Sequence, residues 1–334
     1  MIRVTHYQRR PRVEYQSIER IFEDVRKELA PDLRVRVEKS RYDSNSLWRC
    51  AFNTIEAFFR QGDVNHVTGD SHYLGILLSP KKTIVTIHDC VMMSRLKGAR
   101  RLFYWFFWLW LPIKRASVVV TISKKTLAEL QRFVRIPPEK LRIIPNGVSE
   151  EFTYQALNSA HVPSRNLLQI GTSPNKNLER ITAALAGLNC HLTIIGVPTE
   201  AQRQLLHQHQ IRYTVKAGLS RSALVDEYRA CDAVLFLSTY EGFGLPIIEA
   251  NAVGRAVITS NIEPMLETAG PAGFFVDPTR VDDIQAAIRK VLEDHQFRQQ
   301  LISNGLQNAS KYRLRNVALA HEKIYRQLAC DDAA

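Results

Sequence analysis

The sequence predicts an α/β protein of two doubly wound parallel domains facing a cleft. Three observations carry that prediction. Apolar, β-rich runs alternate with helical patterns along the whole chain, the mark of parallel strands joined by crossover helices. The length of 334 residues suits two domains. A polar, irregular stretch at 148–165 divides the chain near its middle and reads as a linker between a domain at 1–147 and another at 166–311.

The elements follow in order. In the first half the runs at 2–5, 33–37, 64–68, 83–87, 117–121 and 141–144 are short and apolar, as expected of strands buried on both faces. In the second half, 167–170, 192–195, 213–215, 233–237, 256–259 and 273–276 read the same way. Helical periodicity fits between them, for example at 17–29, 124–133, 177–188 and 282–294. A last helix at 317–328 lies in a tail, 312–334, expected to pack back on the first domain. In doubly wound sheets ligands sit at the carboxyl ends of strands, so the residues that end each run are the candidates for function.

The most informative of these ends is Ser238-Thr-Tyr-Glu-Gly-Phe-Gly-Leu-Pro-Ile-Ile-Glu249. The apolar run 233–237 leads into a glycine-bearing loop, and a helix starts near Leu245. Amides at Gly242, Phe243 and Gly244 and the positive helix end suit an anion, most simply a phosphate. Glu241 on the loop and Glu249 one turn inside the helix add two carboxylates, and a carboxylate can accept two hydroxyl hydrogen bonds from a sugar diol. The combination reads as a site for a nucleotide sugar.

This segment, with two glutamates eight positions apart, resembles the E-x7-E signature of retaining glycosyltransferases of family 4, which adopt the GT-B fold. Further segments match in the family's order over about residues 83–278. The strand at 83–87 ends in His88-Asp89, and the resemblance implies that His88 contacts the donor sugar. Gly171-Thr172 and Lys176-Asn-Leu are similar to the family's glycine and (R/K)KN(L) segment, which makes Lys176 the cation for the donor diphosphate. Thr121-Ile-Ser123, Asn146-Gly147-Val148 and Asn261 to Glu267 are lesser matches. By resemblance Glu249 holds the nucleotide ribose, Glu241 the donor sugar, and the backbone of Phe243, Gly244 and Leu245 the donor. His88, Lys176 and Glu241 are then the catalytic candidates. Gly171, Thr172, Lys176, Phe243, Gly244, Leu245 and Glu249 are the donor-binding ones. Two departures stand out. Thr172 occupies a place where many relatives have arginine. Gln8-Arg9-Arg10-Pro11-Arg12 stands where many have a glycine-rich loop, so those arginines are expected to contact the phosphates or the loop to serve the acceptor.

Composition bounds the rest. Residues 1–150 carry 27 Lys and Arg against 15 Asp and Glu, so the whole net charge of +12 belongs to the first half. Such asymmetry points to an anionic partner, and no nucleic-acid motif accompanies it. From Arg95 to Arg115, basic residues flank the ten-residue apolar run 102–111, which contains Trp105, Trp108 and Trp110. A bilayer-spanning helix needs about 20 such residues, so the run is expected to lie at an anionic membrane interface or to be buried between layers or in a dimer face. The five cysteines are scattered with no C-x-x-C pair, which suits a reducing compartment rather than a zinc site or disulfide framework. The N-terminus has no apolar signal core, so a cytoplasmic enzyme with peripheral contact at the inner membrane face is expected.

The sequence therefore predicts a retaining hexosyltransferase. It would use a UDP-, GDP- or other nucleotide diphosphate sugar, with a glycan or lipid-linked acceptor in bacterial surface-polysaccharide synthesis. No separate cofactor and no metal are expected, because no Asp-x-Asp occurs. The resembled enzymes are described as using front-side attack with the leaving diphosphate helping to deprotonate the acceptor. Two alternatives stand beside this: a nucleotide-sugar epimerase of the same architecture, and a non-catalytic sugar-nucleotide-binding protein.

Overall fold

The computed structural model of the chain describes residues 1–10, 17–156 and 165–330. Two compact units divide it: Met1–Gly147 with Leu314–Ala334, and Val148–Arg313.

The first unit is built on six parallel strands, β1 (Ile2–Gln8), β2 (Leu33–Lys39), β3 (Val64–Val67), β4 (Thr83–Ile87), β5 (Val118–Thr121) and β6 (Leu141–Ile143), in the order β2-β1-β3-β4-β5-β6. Every residue of β3, β4 and β5 is buried, because helices cover both faces. On one face Val4, Val64 and Ile84 meet Leu314, Val317, Ala318, Ile324, Tyr325 and Leu328 of the last helix, Leu314–Cys330. The turn before that contact needs Gly147: a Cβ there would come within 2.7 Å of Leu314 Cδ2. On the other face Tyr7, Val67, Val85 and Ile87 pack against Leu109 and Ile113.

The aromatic run lies on that second face. The backbone widens to a π-helix over Trp105–Trp110, between the α-helices Gly98–Tyr104 and Leu111–Arg115. Trp105, Trp108 and Trp110 are partly buried and pack against the core cluster. Trp105 Nε1 donates to the carbonyl of Phe133 at 2.9 Å, and Trp108 lies 4.7 Å from Tyr73. A helix apolar on every face is thus covered from several sides by the 3-10 turn His72–Ile76, the sheet and the chain near Phe133.

The second unit has strands β7 (Asn166–Ile170), β8 (His191–Ile195), β9 (Arg212–Lys216), β10 (Ala233–Phe236), β11 (Ala256–Ser260) and β12 (Gly273–Val276). Their order is β12-β11-β10-β7-β8-β9, all parallel. The fold class expected from the sequence is thus found: two six-stranded, doubly wound parallel sheets. All twelve strands fall where the apolar runs predicted them, within a few residues. In the second sheet the strand order reverses between β7 and β10, where Leu235 pairs with Gln169. The loops leaving those two strands therefore rise side by side from the carboxyl edge, the place where such folds bind ligands.

Candidate functional site

Those two loops bring together the residues singled out in the second half. Lys176 ends a 3-10 turn, Pro174–Lys176, after β7, and Glu241 lies on the loop after β10. Lys176 Nζ meets Glu241 Oε1 at 2.5 Å, with the two side chains 18% and 17% exposed. The ammonium also lies 4.8 Å from the centre of the Phe236 ring, a cation–π contact. Gly171 adopts φ +87°, and a Cβ would come within 3.1 Å of the Lys176 side chain, so the absence of a side chain there lets the lysine lie across the strand end. Gln169 fixes the turn by donating from Nε2 to the carbonyls of Gly171 (3.2 Å) and Lys176 (3.1 Å).

Asn175 stitches the two loops together, and sequence reasoning missed it. Its carbonyl accepts from the Thr239 amide at 2.8 Å. Its Nδ2 donates to the Tyr240 carbonyl at 3.0 Å and to Glu241 Oε1 at 3.3 Å. Thr172, in the position where arginine was the expectation of the family pattern, donates its hydroxyl to the Val197 carbonyl at 2.9 Å. It anchors backbone and brings no charge.

The helix Leu245–Val253 starts from Gly244 at φ +105°, a left-handed turn that favours glycine. Phe243 and Gly244 are buried and Leu245 is partly exposed. The Phe243 carbonyl accepts from Thr268 Oγ1 at 2.7 Å, which holds the loop in place. One turn into the helix, Glu249 is partly exposed. Its Oε2 accepts from the hydroxyl of Tyr228 at 2.6 Å. Burial of the carboxyl raises its pKa, against the opposing pull of Tyr228, Arg221 and Lys176. Tyr228 is fully buried beneath it, with Phe152 edge-on at 5.4 Å. No motif marks Tyr228; its place one helix earlier in the chain becomes meaningful only when the helix Arg221–Ala230 is packed.

His88 stands in the first unit at the end of β4, 9% exposed. Its Nε2 lies 2.8 Å from the Thr68 carbonyl; a carbonyl can only accept, so Nε2 carries the proton and Nδ1 the lone pair. Burial lowers its pKa, and the ring is neutral near pH 7. Asp89 does not act with it as a dyad; its Oδ1 accepts from the Val91 amide at 2.9 Å. His88, Asp70, Arg10, Arg95, Arg100 and Tyr104 help to line a cavity of about 940 Å³ in this unit. Arg9 is committed to acids: Nε to Glu19 at 2.7 Å and Nη1 to Asp70 at 3.0 Å. The expectation that the Arg9–Arg12 arginines replace a glycine loop therefore finds Arg9 already charge-paired within the unit, while Arg12 lies outside the described residues.

Comparison with known proteins finds matches to both halves of the chain. A family model described as glycosyl transferases group 1 matches residues 167–308, and one described as glycosyltransferase family 4 matches residues 10–152. A serotype-specific mannosyltransferase, WbdA, of Escherichia coli is 26% identical over 283 residues, covering 75% of this chain and 34% of that protein. The chain thus spans about a third of the length of that relative. A GDP-mannose:cellobiosyl-diphosphopolyprenol alpha-mannosyltransferase of Xanthomonas campestris is 28% identical over 303 residues, covering 84% of this chain and 77% of the other. Among solved structures, HepE of Anabaena in complex with UDP and glucose superposes with a TM-score of 0.78 at 16% identity, covering 98% of this chain and all of that one. WaaG, a glycosyltransferase involved in lipopolysaccharide biosynthesis, gives 0.74 at 18% identity, with 96% and 99% covered. At these identities the two structures speak for the fold.

Proposed function

The chain belongs to glycosyltransferase family 4, and from that premise we propose that it transfers a hexose from a nucleotide diphosphate sugar to a glycan or lipid-linked acceptor in bacterial surface-polysaccharide synthesis, with retention of configuration. The observation that carries the reading is the Lys176–Glu241 pair beside the Gly244 helix start at the strand-order reversal. A lysine and a glutamate held together at a ligand-binding edge neutralise each other until a ligand separates their tasks. The ammonium then turns to the diphosphate and stabilises the charge that builds as it leaves. The carboxylate turns to the sugar hydroxyls. Helix amides at the Gly244 end add donors for the phosphate oxygens. Glu249, oriented by Tyr228, accepts the ribose hydroxyls. His88, neutral with Nδ1 as acceptor, takes a hydroxyl of the transferring sugar.

The named activities of the relatives make GDP-mannose the first donor to test. The acceptor is read as membrane-bound, because the net positive charge of the molecule is confined to the first half and the Arg95–Arg115 stretch keeps Arg95, Lys97, Arg100, Arg101 and Leu102 exposed. The deciding experiment is calorimetry with UDP-glucose, GDP-mannose and their free nucleoside diphosphates, followed by proton NMR of the glycoside product. Binding of one diphosphate sugar, transfer to an added acceptor and an unchanged anomeric configuration are expected. Turnover of donor without acceptor to an epimerised sugar favours the epimerase. Binding with no turnover of any kind favours a binding protein.

A further inference from the structure

The helix Leu47–Phe58 of the first unit has its polarity reversed with respect to the protein interior. Its inner face is small or polar: Cys50, Asn53, Thr54 and Ala57 are the buried residues. These are fully engaged there. Asn53 Nδ2 donates to the Tyr42 carbonyl at 2.9 Å and the Tyr73 hydroxyl at 3.0 Å. Thr54 donates to the Cys50 carbonyl at 2.7 Å and Tyr7 to the Ala57 carbonyl at 3.1 Å. The large apolar residues point the other way. Leu47 is 65% exposed, Trp48 58%, Ile55 52%, Phe58 46% and, just past the helix, Phe59 78%. With Phe52 they occupy one contiguous side at 100° per residue. Scattered surface leucines need no explanation, but a contiguous stripe of this size marks an interaction site.

The chemistry at the edges of the stripe identifies the partner. Arg49 lies over the Trp48 ring at 5.3 Å and the Tyr42 ring at 5.9 Å, and Arg41 over the Phe52 ring at 5.6 Å. The guanidiniums thus border the apolar side. The one acid of the helix, Glu56, sits off the stripe and is held by Arg60 at 2.8 Å and Arg41 at 3.7 Å. An apolar stripe with exposed tryptophan, rimmed by arginine, in a half-chain of net charge +12 matches the boundary between acyl chains and anionic headgroups. A second copy of this chain fits worse, since stacking two such faces would bring Arg41 and Arg49 of each copy together, and the helix's one acid, Glu56, is already shared between Arg60 and Arg41.

We infer that the Leu47–Phe59 face docks the protein on an anionic lipid bilayer, with the apolar stripe entering the interface and Arg41 and Arg49 at the phosphates. This deepens the membrane-bound acceptor reading by moving the main anchor away from the core-packed tryptophans of the 105–110 segment. The test is sedimentation of the full chain with vesicles of phosphatidylglycerol and phosphatidylcholine, and with phosphatidylcholine alone. Salt is set at about 0.01 M and about 1 M, across which the screening length falls from about 30 Å to about 3 Å.

Wild type is expected to bind the anionic vesicles tightly at low salt and more weakly at high salt, where only the apolar part remains. The variant Trp48→Ser/Ile55→Ser/Phe59→Ser is expected to lose at least about tenfold in vesicle affinity. It should keep the wild-type melting temperature, since the changed residues are more than half exposed. Arg41→Ser/Arg49→Ser should lower only the salt-sensitive part of binding. Wild-type affinity in the triple variant, or no anionic binding by wild type, overturns the inference. So does a wild-type dimer, seen by sedimentation velocity, that the triple variant dissolves, because the face is then a self-interface. Calorimetric binding of the donor nucleotide by the same variants separates this outcome from the glycosyltransferase reading: donor binding can stand while docking fails, and the reverse.

Discussion

The two units use their titratable groups in opposite ways. In the second, charged residues meet across strand ends where a ligand can reach them: Lys176 with Glu241, and Glu249 on the Tyr228 hydroxyl. In the first, histidines are taken out of water. His6, His66, His72, His88 and His321 are all buried. The Tyr325 hydroxyl bridges His6 at 2.9 Å and His66 at 2.8 Å, and His66 also reaches Thr86 at 2.7 Å. By contrast His191, His207, His209 and His295 of the second unit are all partly or fully exposed. Charge kept at a surface edge is available for chemistry, whereas imidazole sealed in a core must stay neutral and becomes a stability element. Changes at the first kind of group should cost activity, and changes at the second should cost folding.

The sharpest way to break that contrast is Lys176→Ala. If the ammonium stabilises the departing diphosphate, transfer should fall by roughly 10²–10³, the range seen when one donor to a developing negative charge is removed. Diphosphate binding should weaken in calorimetry and the melting temperature should hardly move. A variant that loses several degrees of stability and keeps its specific activity would make the Lys176–Glu241 pair a structural brace, and the contrast would fail.

His88 tests the border between the two behaviours, because it is a buried neutral histidine assigned a contact with the donor sugar. His88→Ala should reduce transfer by about ten- to a hundredfold, the worth of about one lost hydrogen bond in a closed site. It also leaves the Thr68 carbonyl without this partner. Nucleoside diphosphate affinity should not change. Loss of folding with normal turnover per folded molecule would put His88 with the other four histidines as core.

Acid should reveal the difference without mutation. His321 is pushed down to about 4, chiefly by burial, and His72 likewise to about 4. His6 and His66 are held well below 6.5 by burial first, and then by Arg26 and His321 at His6 and by the neighbouring histidines at His66. Above pH 6.5 these rings are neutral in the folded and the unfolded chain, so nothing is lost. Between pH 6.5 and about 4 the unfolded chain takes up protons that the folded unit refuses, so stability falls as the pH falls. For His321 alone the full shift corresponds to on the order of 3 kcal/mol. All four tryptophans, Trp48, Trp105, Trp108 and Trp110, belong to the first unit, so their fluorescence follows it selectively. It should report unfolding in that window while hydrogen exchange in peptides from 167–308 still shows protection. Simultaneous loss of both signals would mean that the histidine core does not set acid stability.

These contrasts also explain what could be read from the chain. Lys176, Glu241, Glu249 and the Gly244 turn sit within short strand–loop–helix segments, where the ligand chemistry is local and leaves a pattern in consecutive residues. Asn175 lies inside one such segment, but its stitching role needs the neighbouring loop. The histidine core leaves no pattern because its members come from β1, β3 and the last helix, far apart along the chain. The Leu47–Phe59 stripe is harder still: alone, its apolar spacing is that of any helix packed on a core. Only the position of Asn53 and Thr54 against Tyr42, Tyr73 and Cys50 reveals that the apolar side faces out. The aromatic run was open between interface and interior for the same reason, and packing draws its tryptophans onto the core.

The smallest effect is expected at Tyr228, and it concerns how the second unit keeps a partly buried carboxylate usable. Burial raises the pKa of Glu249, and the Tyr228 hydroxyl is the foremost of the groups that oppose the rise. Tyr228→Phe removes one hydrogen bond to a charged group and leaves the ring packed against Phe152. The carboxyl should then move further up, so that the acid form appears at a higher pH than in wild type. The ionised form can accept both ribose hydroxyls, whereas the protonated form gives up one acceptor position to its own proton. Nucleotide affinity in the variant should therefore be only a few-fold weaker at pH 8, since a hydrogen bond to a charged group is worth about 1.5–3 kcal/mol and part of it is recovered from the ligand. It should fall away from wild type as the pH is lowered. Calorimetric titration of the nucleoside diphosphate across pH 5–8, flanked by about 1 unit at each end, reads the divergence. Parallel curves for the two proteins would show that Tyr228 fixes the geometry of Glu249 without tuning its charge.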